Sequence, residues 1–270
     1  MKKNTLKTRG VVFAYLVGPP RLVSREEASS LHGKVCDALR LDDIQFAYRP
    51  KEAQDRKSKG FSVEMVRVEG RGGLAVGFEN VGSDSPCRLL LTYDFPPSLE
   101  HVKESFDTVA GAILDSPAGA SPAGGSPSGG WKRVLAEARI RAECAAEGER
   151  GLDFVRDRLL RFRTNWLDTD DGPLGFASVT YRLAAMSPGD PEHLEGPRRE
   201  LRIEPLREDE RELYLELVST WEQLAKPPNP GGFVDHNAIR RIDQPPSAYI
   251  GEGYRFLEER VLSQDWTRKG

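Results

Sequence analysis

The chain has 270 residues, 38% hydrophobic and 30% charged, with a formal net charge of −3. That length suits one large domain or two small ones, each able to bury a core. The near-neutral balance gives no global field toward nucleic acid or an anionic membrane, and no apolar run approaches the ~20 residues that span a bilayer. Val11–Val17 is one strand long and ends at Gly18-Pro19-Pro20, so it lacks the long apolar core of a signal peptide. The three cysteines, Cys36, Cys87 and Cys144, are an odd, widely spaced set in apolar patterns. They imply a reduced cytoplasmic protein with buried thiols.

Gly10–Val17 reads as the first strand. Ser24-Arg25-Glu26-Glu27 forms a capping box, in which the Ser24 hydroxyl accepts from the Glu27 amide. Ala28, Leu31, Val35 and Leu39 behind it predict a helix from about Arg25 to Arg40. Ile44, Phe46 and Tyr48 predict a second strand that stops at Pro50, and Lys51–Gly60 is dense in charge, as a solvated loop is. Phe61, Val63 and Met65 alternate with polar residues until the phase slips near Met65-Val66, which a bulge would explain. Gly70–Gly73 is a turn, followed by strands at Leu74–Glu79 and Cys87–Asp94. Pro96-Pro97-Ser98 then opens a helix whose apolar stripe runs from Leu99 through Val102, Phe106, Val109 and Ile113. The first half therefore reads β-α-β-β-β-β-α, an antiparallel sheet with helices on one face.

Ser116–Gly130, built of Ser, Pro, Ala and Gly, has no charge and no large apolar group to bury. It reads as a flexible linker between residues 1–115 and 131–270. Trp131–Ala146 is rich in helix formers, yet Ala136, Ala138, Ile140, Ala142 and Cys144 alternate strictly with charged residues. The alternation predicts a strand, central or nearly so in its sheet. Leu152, Val155, Leu159 and Phe162 predict a helix, and Phe176–Ala184 and Glu200–Leu206 predict strands around a loop at Ser187–Pro197. Leu213, Leu217, Trp221 and Leu224 predict a helix, opened by the acidic run Glu208–Glu210. Pro227–Gly232 breaks it before a last helix, about Ser247 to Ser263, with Ile250, Tyr254, Leu257 and Val261 on one face. The expected fold is α+β: two ferredoxin-like antiparallel sheet/helix halves joined by the Pro/Gly/Ser linker.

Three features carry a resemblance: the early strand and capped helix (Val11–Val17, Ser24–Leu39), the Arg-rich alternating strand (Ala136–Cys144), and the closing run Leu201–Val261. In this order of elements the chain resembles a sporadically distributed bacterial family of about 250 residues with no established activity. The resemblance implies a fold and no chemistry.

The four histidines form no two-His helical motif and no Cys-x-x-Cys occurs, so neither a metal site nor a cofactor is expected. His32 and His101 fall on predicted helices as solvated surface. Asp168–Gly172 gathers three carboxylates but lacks the distal ligand of a calcium loop, and reads as a turn. The glycines of Gly70–Gly73 precede a strand, whereas a phosphate cradle needs a helix N-terminus. Asp235-His236-Asn237 is the one place where an imidazole sits between two polar partners, and Asp235 and His236 with Glu252 make the catalytic candidate set. Arg139 and Arg141 share a strand face with Glu137 and Glu143, either as cross-strand pairs or as a basic groove for a phosphate or acidic peptide.

The expectation is a non-enzymatic binding or assembly protein, since no nucleophile, base and metal cluster in the chain. A hydrolase or transferase assembled in space near Asp235 and His236 is the alternative. Nucleic-acid or phosphate binding through the Arg-rich second half is the minor one. A protein partner or self-association is expected through the stripe of Ile250, Tyr254, Leu257 and Val261, unless that stripe docks within its own chain. Replacing Ser116–Gly130 by a short Gly/Ser bridge should leave the fold intact, because loop-closure entropy changes slowly with length. The melting temperature is expected to stay within about 8 °C of the parent; a larger fall would show that the segment is packed.

Overall fold

The computed structural model describes residues 6–18, 24–41, 45–51, 60–67, 73–80, 86–114, 132–145, 167–169, 172–174, 179–182, 197–206, 212–222 and 244–262. The strands are β1 (Lys7–Gly18), β2 (Ala47–Lys51), β3 (Gly60–Arg67), β4 (Gly73–Asn80), β5 (Cys87–Asp94), β6 (Lys132–Ala145), β7 (Leu167–Thr169), β8 (Gly172–Leu174), β9 (Val179–Arg182), β10 (Arg198–Pro205) and β11 (Glu212–Glu222). The helices are α1 (Arg25–Leu39), α2 (Leu99–Leu114) and α3 (Pro246–Phe256), the last continued by a π-helical run, Leu257–Leu262. The fold is mixed α+β.

Strands from both sides of Ser116–Gly130 join one nine-stranded sheet, ordered β2-β3-β4-β5-β1-β6-β11-β10-β9. Every pairing in it is antiparallel. The mixed α+β class is as expected, while a ferredoxin-like order in each half is not shown: among the described residues the strands meander, and each run's opening strand, β1 or β6, lies beside its closing strand, β5 or β11.

The order β-α-β-β-β-β-α holds for residues 7–114. Ser24 Oγ accepts from the Glu27 amide at 3.2 Å, and α1 ends with Arg40 in the left-handed region at φ 53°. The slip in β3 is present as a register shift between Glu64 and Val66. β2 runs through Pro50 to Lys51; as an edge strand it tolerates a proline that cannot donate to the ladder. β6 is a strand despite its helix formers, and it is central, between β1 and β11.

One helix expectation fails. Glu212–Glu222 is a strand, with Leu213, Leu215, Leu217, Ser219 and Trp221 buried and the residues between them only partly so. A spacing of four fits a period of 3.6 and also a period of two, so Leu213, Leu217 and Trp221 alone do not discriminate. Leu215 and the β-branched Val218 and Thr220 complete the strand pattern. The predicted helix at Leu152–Phe162, the linker and the Gly70–Gly72 turn lie outside the described residues.

The core occupies one face of the sheet. Val11, Phe13, Tyr15, Ile140, Leu217, Leu89 and Leu91 pack there against Phe106, Val109 and Ile113 of α2 and Ile250 and Tyr254 of α3. α3 comes very close: a Cβ at Gly253 would lie 2.6 Å from Ile140 Cδ1. The amino end of α3 follows Pro245, which offers no side-chain cap, and Asp107 Oδ1 of α2 accepts from the Ser247 amide at 2.8 Å instead. Tyr15 Oη donates to the Gln244 carbonyl at 2.6 Å, pinning the approach to the helix.

Ile140→Asp should abolish cooperative folding of the whole sheet, since an unpaired charge there costs several kcal/mol, whereas Arg139→Ser should be mild. Thermal melts followed by circular dichroism check this; two equally harmless variants would refute the central placement. Gly253→Ala should lower stability by about 1–3 kcal/mol, because Ile140 is enclosed and cannot yield. Urea denaturation measures that difference.

Candidate functional site

The sequence-derived candidates do not assemble into one site among the described residues. Asp235 and His236 lie outside them. Glu252, on α3, is engaged: its Oε1 accepts from Arg199 Nη2 at 2.5 Å, and the Arg199 guanidinium lies over the Phe256 ring at 4.4 Å. Burial beneath α3 lowers the Arg199 pKa, while Glu252 acts to raise it. No group of three or more metal-ligating side chains occurs among the described residues.

Arg139 and Arg141 lie on the sheet face opposite the core, in a lattice of cross-strand ion pairs. Glu216 Oε1 of β11 is 3.9 Å from Arg139 Nη1 and 3.3 Å from Arg141 Nε. Arg141 Nη1 also reaches Asp94 Oδ1 at 3.9 Å, and Arg88 reaches Glu137 at 3.9 Å. The last two pairs cross over β1: Gly10 lies opposite both Asp94 and Arg141, whereas Leu16 lies opposite Arg88 and Ala14 opposite Glu137. A Cβ at Gly10 would stand 3.2 Å from Asp94 Oδ1, so the missing side chain leaves room for the bridge.

Among the described residues, His32, His101 and the three cysteines are packing residues, and His193 lies outside them. His32 lies against Phe46, ring centroids 5.0 Å apart, with Nε2 3.4 Å from Cys36 Sγ. It is therefore partly buried, and not the solvated residue expected. His101 is exposed and meets Tyr93 edge to face at 5.6 Å. All three cysteines are free; Cys87 and Cys144 are buried and Cys36 partly so. Burial, then Asp37, pushes the Cys36 thiol up, away from a reactive thiolate. Asp168 and Gly172 belong to the β7–β8 hairpin, the former opposite Pro173 and the latter opposite Thr169.

A cleft of about 490 Å³ lies at the other end of β1, lined by Leu6–Arg9, Phe95–Leu99, Tyr254 and Glu258. The β5–α2 corner forms one wall. Its Phe95 is 60% exposed, with φ 50° in the left-handed region. Both bulk and the following proline disfavour that conformation, which the Phe95 amide fixes by donating to the Arg9 carbonyl at 2.8 Å. The Arg9 guanidinium stands over the Phe95 ring at 5.5 Å and is ion-paired with Glu143. Glu143 is 2% exposed, and Lys7 Nζ lies 3.8 Å from its other oxygen. Ser98 Oγ accepts from the His101 amide at 3.1 Å and so caps α2 at the cleft wall.

Tyr254 closes the floor. Its hydroxyl is hydrogen-bonded to Thr8 Oγ1 at 2.6 Å, and burial pushes its pKa up to about 12 against the opposing effect of Thr8. Sequence reasoning placed Tyr254 on an apolar stripe and missed this polar end. It did not single out Phe95; an aromatic between Asp94 and Pro96-Pro97 was the available signal.

The Tyr254 pKa is raised on folding, so its contribution is fully present below about pH 10 and is lost as pH rises toward 12. A two-unit shift corresponds to ~3 kcal/mol. The parent should lose more stability than Tyr254→Phe across that alkaline window; parallel denaturation curves would contradict the buried phenol. Comparison with known proteins finds no matching family model, no matching curated relative and no matching solved structure.

Proposed function

We propose that this chain is a non-enzymatic binding protein of the bacterial cytoplasm that grips an extended peptide in the cleft between β1, the β5–α2 corner and the end of α3. Phe95 carries the proposal. Its ring gains little from folding while it stays mostly exposed, yet its backbone is held in a disfavoured conformation that presents it at the cleft. Aromatic and arginine side chains dominate the energetic centres of protein interfaces, and Arg9 backs Phe95 here. The cleft volume falls in the range of ligand sites, and its apolar walls alternate with a few polar groups.

The polar groups of the cleft are paired for holding more than for proton transfer. Tyr254 keeps its proton through neutral pH, and Arg9 and Lys7 of the cleft are ion-paired with Glu143 beside it. A hydrolase or transferase using Glu252 would first have to release Arg199. A phosphate or nucleic-acid groove at Arg139 and Arg141 would compete with Glu216 and Asp94. The free thiols fit a reducing compartment. A reading of residues 1–115 and 131–270 as two halves of like design is supported by the way each opening strand lies beside its closing strand.

Self-association through α3 is not part of this proposal. Ile250, Tyr254, Leu257 and Val261 are all buried in the chain's own core, so that stripe is covered before any partner arrives.

Panning a random peptide library against the intact chain tests the proposal, with the Phe95→Ala chain as counter-target. Enriched peptides should bind the parent and lose at least about tenfold affinity to Phe95→Ala and Phe95→Gly, with melting temperatures preserved. Failure to enrich any peptide, or equal binding to all three chains, would overturn it.

A further inference from the structure

We draw no further inference here: the strongest candidate, the polar cluster of Arg199 and Ser219 on neighbouring strands beneath α3, already has Glu252 answering its guanidinium, and nothing in the structure shows what would enter beside the buried Ser219 hydroxyl.

Discussion

The structure depends on the antiparallel pairing of β1 with β6. It joins residues on either side of Ser116–Gly130 into one sheet over a register that runs from Lys7↔Glu143 to Gly18↔Lys132. β1 thereby gains a neighbour on each edge, β5 and β6, and every hydrogen-bonding direction of the strand is used. Its side chains answer that position. Val11, Phe13, Tyr15 and Val17 fill the helix-covered face, while Gly10 and Ala14 stay low on the other. Gly10 there lets Arg141 reach Asp94 across the strand, and Arg88 reaches Glu137 past Ala14 and Leu16. Such half-exposed pairs contribute little stability individually, but they favour one register over its neighbours.

The same pairing explains where α3 goes. Helix α3 lies over β6 and against α2, on the strip where the two sets of strands meet. Gly253 permits the close approach to Ile140, Asp107 supplies the missing cap, and Tyr15 holds the entry at Gln244. Tyr249 stacks on Phe13 at 5.8 Å and meets Trp221 at 4.8 Å, so one ring touches both sets of strands. Helix α3 is thus part of the core of the sheet as a whole.

The cleft is a consequence of these two arrangements. β1 begins beside the end of β5, and the chain must turn sharply there into α2, which puts Phe95 at the corner. The end of α3 arrives on the other side and contributes Tyr254 and Glu258. The register shift between Thr8 and Gly10 falls at Arg9, whose side chain meets both Glu143 and the Phe95 ring. An aromatic ring beside an arginine, in a cleft that also holds a tyrosine–threonine hydroxyl pair and two prolines, has the makings of a contact surface.

The sequence by itself determined the elements wherever one period was unambiguous. The alternation across Ala136–Cys144 outweighed its helix formers, the Ser24 cap and the α2 stripe were legible, and the slip at Met65-Val66 marked a bulge. It misassigned Glu212–Glu222 because positions four apart satisfy both a helix and a strand. Arg139 and Arg141 were placed on the correct face, but which carboxylates would meet them depends on a register that no local pattern encodes. Only the tertiary structure decided that both sets of strands share one sheet, and that the α3 stripe is covered within the chain. It also decided that Phe95, Arg9 and Tyr254, far apart in sequence, line one cleft. Propensity and periodicity act over a few residues, whereas these outcomes depend on which distant surfaces bury one another.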